Sequence, residues 1–125
     1  MINQITLVLM AYFFGSLSFG IITSYFFNIT DPRTTGSKNP GATNVMRAGN
    51  KLAALLTLLG DMLKATLVIA IANYINVSEG NLVIISIAVL LGHIFPIYYQ
   101  FKGGKGVATA FGILYKIKHT KDIKR

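Results

Sequence analysis

Residues 82–101 read LVIISIAVLLGHIFPIYYQF, a run without a single charged side chain. At about 1.5 Å per residue, a helix of this length covers the roughly 30 Å hydrocarbon core of a bilayer. Upstream, Ile5 to Phe27 is just as free of charge. Leu52 to Asn73 is a third such stretch, interrupted by Asp61 and Lys64. A further apolar run starts at Val107 but ends at Tyr115, too short to cross as a helix, and gives way to the polar tail Lys116–Arg125. The pattern predicts an all-α integral membrane protein, a polytopic helical bundle with three clear transmembrane helices plus an incomplete fourth. One domain, 1–125, holds spans at about 5–27, 52–73 and 82–101.

Composition points the same way. Of 125 residues, 53% are hydrophobic and 13% charged. Uncharged stretches as long as 1–30 and 80–101 leave a soluble domain little with which to wet its surface. Intrinsic disorder needs low hydrophobicity and is excluded. No Lys or Arg precedes the first span and no small-residue cleavage site closes it, so it reads as a span and not as a leader peptide. There is no cysteine, which removes disulfides, thiol nucleophiles and thiolate metal sites together. His93 and His119 are too few and too far apart for a zinc cage, and no metal is expected.

The chain carries 12 basic and 4 acidic residues, a net charge of +8. No aromatic-studded basic face supports a nucleic-acid partner. The basic residues instead flank the spans: Arg33, Lys38, Arg47 and Lys51 between the first two, and Lys102, Lys105 and the tail after the third. The short connection after the second span holds only Glu79. Positive-inside counting places the N-terminus outside and segments 28–51 and 102–125 in the cytoplasm. Ser16, Gly20 and Ser24 recur at four-residue spacing and predict a close-packing stripe on the first helix. Tyr98 and Tyr99 read as interfacial anchors.

Two cytoplasmic stretches could carry chemistry. Residues 36–47 offer hydroxyls at Ser37 and Thr43, amides at Asn39 and Asn44, and cations at Lys38 and Arg47. Gly36, Pro40 and Gly41 set the turns. Such a loop can present donors and a bidentate guanidinium to a phosphate, or it can be an ordinary polar loop. Lys102-Gly103-Gly104-Lys105-Gly106 can converge backbone amides on an anion, or act as a basic linker against anionic lipid. It lacks the spacing and the Ser/Thr of a Walker A loop.

Two groups lie inside the spans. Asp61 and Lys64 share a helix face about 13–14 Å into the membrane, where ionisable groups pair or face a wet cavity. Either reading fits. His93 precedes Pro96, which cannot donate to the carbonyl of Gly92, so a kink with a free acceptor is expected. The imidazole is then satisfied by such a carbonyl or serves in proton transfer.

The run Gly36-Ser37-x-Asn39-x-Gly41-Ala42-Thr43-Asn44-Val45-x-Arg47 resembles the first motif of bacterial acyl-phosphate:glycerol-3-phosphate acyltransferases, the PlsY family. Gly92-His93-x-Phe95-Pro96, followed by Phe101-Lys102-Gly103-Gly104-Lys105-Gly106-Val107-Ala108-Thr109, resembles the second. Gly15-Ser16 and Asp61-x-x-Lys64 fit as well, so the likeness spans about residues 7–114. It implies acyl transfer from acyl phosphate to the 1-hydroxyl of glycerol 3-phosphate at the bacterial inner membrane. The products are lysophosphatidic acid and phosphate, the first step of phospholipid synthesis, with no cofactor, metal or coenzyme A thioester.

The resemblance points to Ser37, Arg47 and Lys105 as catalytic. Thr43, Asn44, Gly103, Gly104 and Gly106 would lie against substrate phosphate, with Asn39, His93, Asp61 and Lys64 in support. Arg47 and Lys105 would stabilise the charge that builds in acyl transfer. Ser37 reads as a positioning donor, since no histidine–acid pair activates it. The resemblance suggests the substrate's own phosphate as proton acceptor. Family members continue through more spans to a third cytoplasmic motif, which this chain does not reach. The abrupt change at Tyr115–Arg125 reads as truncation or a frameshift. The expected function is therefore the acyltransferase, the alternatives being an inactive fragment of it or a non-enzymatic anion-binding membrane protein.

Overall fold

A computed structural model describes residues 3–99 and 103–124, with side chains through Lys118. Among the described residues six α-helices form: α1 Gln4–Gly15, α2 Phe19–Phe26, α3 Ala42–Arg47, α4 Lys51–Tyr74, α5 Glu79–Ile94 and α6 Val107–Lys124. A single 3-10 turn, Ile97–Tyr99, follows α5. Among the described residues there is no strand.

The long helices are amphipathic in the sense that lipid demands. On α4 the small or polar residues Ala53, Ala54, Thr57, Asp61, Lys64, Ala65 and Ala72 face inward and are buried. Leu55, Leu59, Leu63, Leu67 and Ile71, four residues apart, are 43–61% exposed on the opposite face. A soluble bundle would reverse that arrangement, since hydrocarbon wets leucine and water does not. Among the described residues three segments are long and apolar enough to cross a membrane: Gln4–Phe26, Lys51–Tyr74 and Glu79–Tyr99.

Helix α4 starts with the Asn50 side chain accepting from Ala53 N–H at 2.9 Å. The inner core joins Ala11, Ala65, Ile69, Ile85, Val89 and Ile113. Helix α1 packs on α5, and α4 packs on both α2 and α6. Glycines permit the α1–α5 approach. A Cβ on Gly15 would run into the Val89 carbonyl, and one on Gly92 into that of Tyr12.

Three expectations need correction. The first span is not one helix: it breaks at Ser16–Ser18 and restarts as α2. Ser16 closes α1, its hydroxyl donating to the Tyr12 carbonyl at 2.9 Å. Gly20 and Ser24 lie on α2, so the three residues form no single stripe, although each is buried. Gly20 instead lets the Pro40 carbonyl sit where a side chain would be, which seats the following loop on α2.

The third span begins at Glu79 and its α-helix stops at Ile94, before Pro96. The carbonyl of Phe95 is taken up by the Tyr12 hydroxyl at 2.6 Å. Gln100 to Lys102 lie outside the described residues. Finally, residues 107–124 form one continuous helix, so the polar stretch after Tyr115 extends the apolar run as helix instead of ending it. Its apolar first half packs on α4, with Gly112 against the Met62 carbonyl, and Lys is a good enough helix former to extend it. The His119 side chain lies outside the described residues.

Candidate active site

The connection between α2 and α4 is folded around a buried amide. Asn44, 3% exposed, donates from Nδ2 to the carbonyls of Pro32 at 2.7 Å and Thr35 at 3.0 Å. Its Oδ1 accepts from the Ser37 N–H at 3.3 Å. Gly36 has φ +56°, and a Cβ there would collide with the Asn44 Oδ1, so this turn needs glycine for both reasons. The expected phosphate contact from the Asn44 side chain is thus not what its geometry offers: it has spent its donors on the loop.

The rest of the first motif follows from that fold. The Asn39 side chain accepts from Gly41 N–H at 2.9 Å, a local turn that leads into α3. Helix α3 ends in Arg47, and Gly49 at φ +96° then reverses the chain into α4. Ser37, Thr43 and Arg47 are left exposed. At the outer edge Asp31 and Arg33 pair at 2.6 Å, and the Arg33 guanidinium lies 5.6 Å from the Tyr99 ring centroid. The hydrogen bonds from Arg33 hold the Asp31 carboxyl below its usual range and raise the guanidinium correspondingly.

The second motif docks onto the interrupted end of α5. Gly103 N–H donates to the Ile94 carbonyl at 3.0 Å and Gly104 N–H to the His93 carbonyl at 3.3 Å. These two amides close the helix terminus and do not converge on an anion, which corrects the expected backbone cradle. The glycines are required sterically: a Cβ on Gly103 would strike the His93 carbonyl, and one on Gly104 would lie 2.7 Å from the imidazole Nε2. Gly106, at φ +83°, starts α6, whose first amides lie beside Lys105.

Beneath both motifs, Asp61, Lys64 and His93 form one buried cluster. Lys64 Nζ lies 3.2 Å from Asp61 Oδ1, the expected ion pair, and it also donates to the Leu17 carbonyl at 2.6 Å. Asp61 Oδ1 accepts from Phe19 N–H at 3.4 Å. The pair therefore binds the polar backbone exposed where the first span breaks. Thr109 Oγ1 donates to the Asp61 carbonyl at 3.2 Å, adding α6. His93 meets Lys64 through Nδ1 at 2.8 Å, so its partner is the ammonium and not the free carbonyl expected from the proline.

These elements enclose a cleft of about 380 Å³. Ser37, Asn39, Thr43 and Arg47 of the first motif and Lys105 and Gly106 of the second all line it, together with Asp61 and His93. Of the expected site residues it unites the two cations and both hydroxyls. Gly103, Gly104 and Lys64 support it from behind. The cleft continues along Leu58, Met62, Val107 and Phe111, an apolar wall that sequence reasoning did not single out. In the sequence those side chains cannot be told from their lipid-facing neighbours. A separate recess of about 420 Å³, lined by Asn28, Thr30 and Thr35, shares Asn44 and Arg47 with this cleft.

This membrane bundle, whose two basic motifs line one cleft, matches one family model, that of glycerol-3-phosphate acyltransferase, over residues 5–121, and the chain belongs to that family. A relative named glycerol-3-phosphate acyltransferase from Methylobacillus flagellatus is 55% identical over 112 residues, covering 90% of this chain and 57% of that protein. One of the same name from Nitrosospira multiformis is 53% identical, covering 88% and 56%. Among solved structures, the glycerol 3-phosphate form of PlsY, an integral membrane glycerol 3-phosphate acyltransferase, superposes with a TM-score of 0.85 at 37% identity. That match covers 94% of this chain and 58% of the other. The lysophosphatidic acid form gives 0.83 at 36% identity. The chain spans little more than half the length of the relatives it matches.

Proposed function

We propose that this chain forms the phosphate-holding part of an acyltransferase that moves a fatty acyl group from acyl phosphate to the 1-hydroxyl of glycerol 3-phosphate. The observation that carries the reading is that Arg47 and Lys105, from two motifs far apart in sequence, line one cleft together with Ser37 and Thr43. Both substrates are phosphate esters or anhydrides, and both need cations and hydroxyl donors. The solved relatives, described with glycerol 3-phosphate and with lysophosphatidic acid, support the same chemistry.

In the reaction, the 1-hydroxyl oxygen bonds to the acyl carbon and the acyl–oxygen bond to phosphate breaks. The hydroxyl proton leaves with the phosphate. Negative charge builds first on the carbonyl oxygen and then on the departing phosphate. Arg47 and Lys105, which both line the cleft, stabilise it. Ser37 and Thr43 orient the acceptor, and Gly106 lets the first turn of α6 approach. Asn44, Gly103 and Gly104 hold the two motifs in shape. The acyl chain runs along Leu58, Met62 and Phe111 toward the lipid. Segments 28–51 and 102–125 face the cytoplasm of a bacterial inner membrane, following their basic residues.

The test is acyl transfer to labelled glycerol 3-phosphate by membranes containing this chain alone, compared with Arg47→Ala. Lysophosphatidic acid above that control supports the enzyme. No product from a chain shown to be inserted supports the second reading, a phosphate-binding portion that needs further protein, which the 57% coverage of the relative favours.

A further inference from the structure

We infer that His93 donates a hydrogen bond from Nε2 to a phosphate oxygen bound in the cleft, and that Lys64 is the positioning residue that fixes the imidazole in that tautomer. The inference rests on the reading of the cleft as a phosphate site and adds a neutral donor to its cations. An ammonium has three N–H donors and no acceptor. Those of Lys64 reach the Leu17 carbonyl at 2.6 Å, Asp61 Oδ1 at 3.2 Å and His93 Nδ1 at 2.8 Å. All three are used. Nδ1 must therefore accept, and a neutral imidazole then carries its proton on Nε2.

The proton so placed has nothing to bind among the described residues. Among the described residues Nε2 makes no hydrogen bond, although His93 is only 6% exposed and lines the cleft. Gly104 is what keeps it open: a Cβ there would stand 2.7 Å from Nε2. The same missing side chain would lie 3.2 Å from Asn39 Oδ1, so Nε2 faces the junction of the two motifs, next to Lys105. Nε2 is not fully enclosed: it opens onto the cleft, where an anionic oxygen can accept its hydrogen bond. Asp61, close by at 3.8 Å from Nδ1, lies on the Lys64 side of the ring and leaves the Nε2 side free.

The experiment is nitrogen NMR of the complete chain in lipid nanodiscs with labelled imidazoles, titrated with inorganic phosphate. The chain has two histidines, so His119→Gln assigns the His93 signals. The expected spectrum shows Nδ1 unprotonated and Nε2 protonated near neutral pH, with the Nε2 signal moving as phosphate binds. Lys64→Met should replace that single tautomer with a mixture. A protonated Nδ1 in the unsubstituted chain overturns the inference. So does an Nε2 signal that stays fixed while the amides of Thr43 and Lys105 respond, which would leave the phosphate site standing without His93. If no signal in the cleft responds, the phosphate site itself fails and the inference with it.

Discussion

The Lys64 ammonium donates to the backbone carbonyl of Leu17 at 2.6 Å, across 47 positions of sequence. The first span breaks there, and in lipid a broken helix needs partners for its freed backbone groups. Lys64 satisfies the carbonyl and Asp61 the amide of Phe19. The ion pair in α4 thus serves as a clasp for α1 and α2, and through His93 it also positions the end of α5.

Lys64→Met leaves the Asp61 carboxylate buried and unpaired, with the Leu17 carbonyl open. Removing one member of a buried pair costs about 3–5 kcal/mol, more than removing both. Thermal unfolding in detergent should show a large loss for Lys64→Met and partial recovery in Asp61→Asn/Lys64→Met. Leu63→Met, on the lipid face, serves as the control. Equal midpoints for Lys64→Met and Leu63→Met would refute the clasp.

Two glycine substitutions should have opposite signs. Gly103→Ala drives a methyl into the His93 carbonyl and must push the loop off α5, with an overpacking cost of about 1–3 kcal/mol. Gly80→Ala, in α5 with nothing within 4 Å, should stabilise by about 0.5–1 kcal/mol through helix propensity. Denaturation midpoints that move in the same direction would contradict this account of the second motif.

Asn44 and Arg47 should separate structure from chemistry. Asn44→Ala strips the partners from two carbonyls and one amide, so limited proteolysis should cut residues 30–44 faster. Arg47→Ala should leave cleavage unchanged, since Arg47 is exposed, and should lower acyl transfer on the order of 10²–10³. The reverse pattern would exchange the two roles.

Acid should loosen the outer edge of the same loop. Asp31 binds its proton less tightly when folded than its ordinary value of 3.8 implies, because Arg33 hydrogen-bonds the carboxylate. Its contribution is therefore present above that value and lost as pH falls through the lower folded one. The effect is small, about 1 kcal/mol or less for an exposed pair. Proteolysis of the loop should rise below about pH 4 in the native chain, while Asp31→Asn should be loose already at neutral pH. An acid response unchanged in Asp31→Asn would assign it to other groups.

Much of the bundle was legible because lipid leaves a coarse signature: long uncharged runs, with basic residues between them. The Asp61–Lys64 pair was legible from spacing alone. The break at Ser16–Ser18 was not, because Leu17-Ser18-Phe19 contains no proline and its backbone partners sit on another helix. For the same reason Asn44 read as a ligand: an amide in a polar loop looks alike in sequence whether it faces substrate or three backbone groups. Gly103 and Gly104 read as an anion cradle, since the carbonyls that take their amides are exposed only once Pro96 interrupts α5. The helix over 107–124 was obscured by its lysines, which signal polarity but do not oppose helix formation.

The proposed acyl transfer requires above all that the two motifs form one phosphate site. The decisive measurement is equilibrium binding of glycerol 3-phosphate to the reconstituted chain and to Arg47→Ala and Lys105→Ala, which remove one cleft-lining cation from each motif. Each substitution is expected to weaken binding at least tenfold, with both variants still folded and inserted. Binding that survives Lys105→Ala undiminished would contradict the shared site.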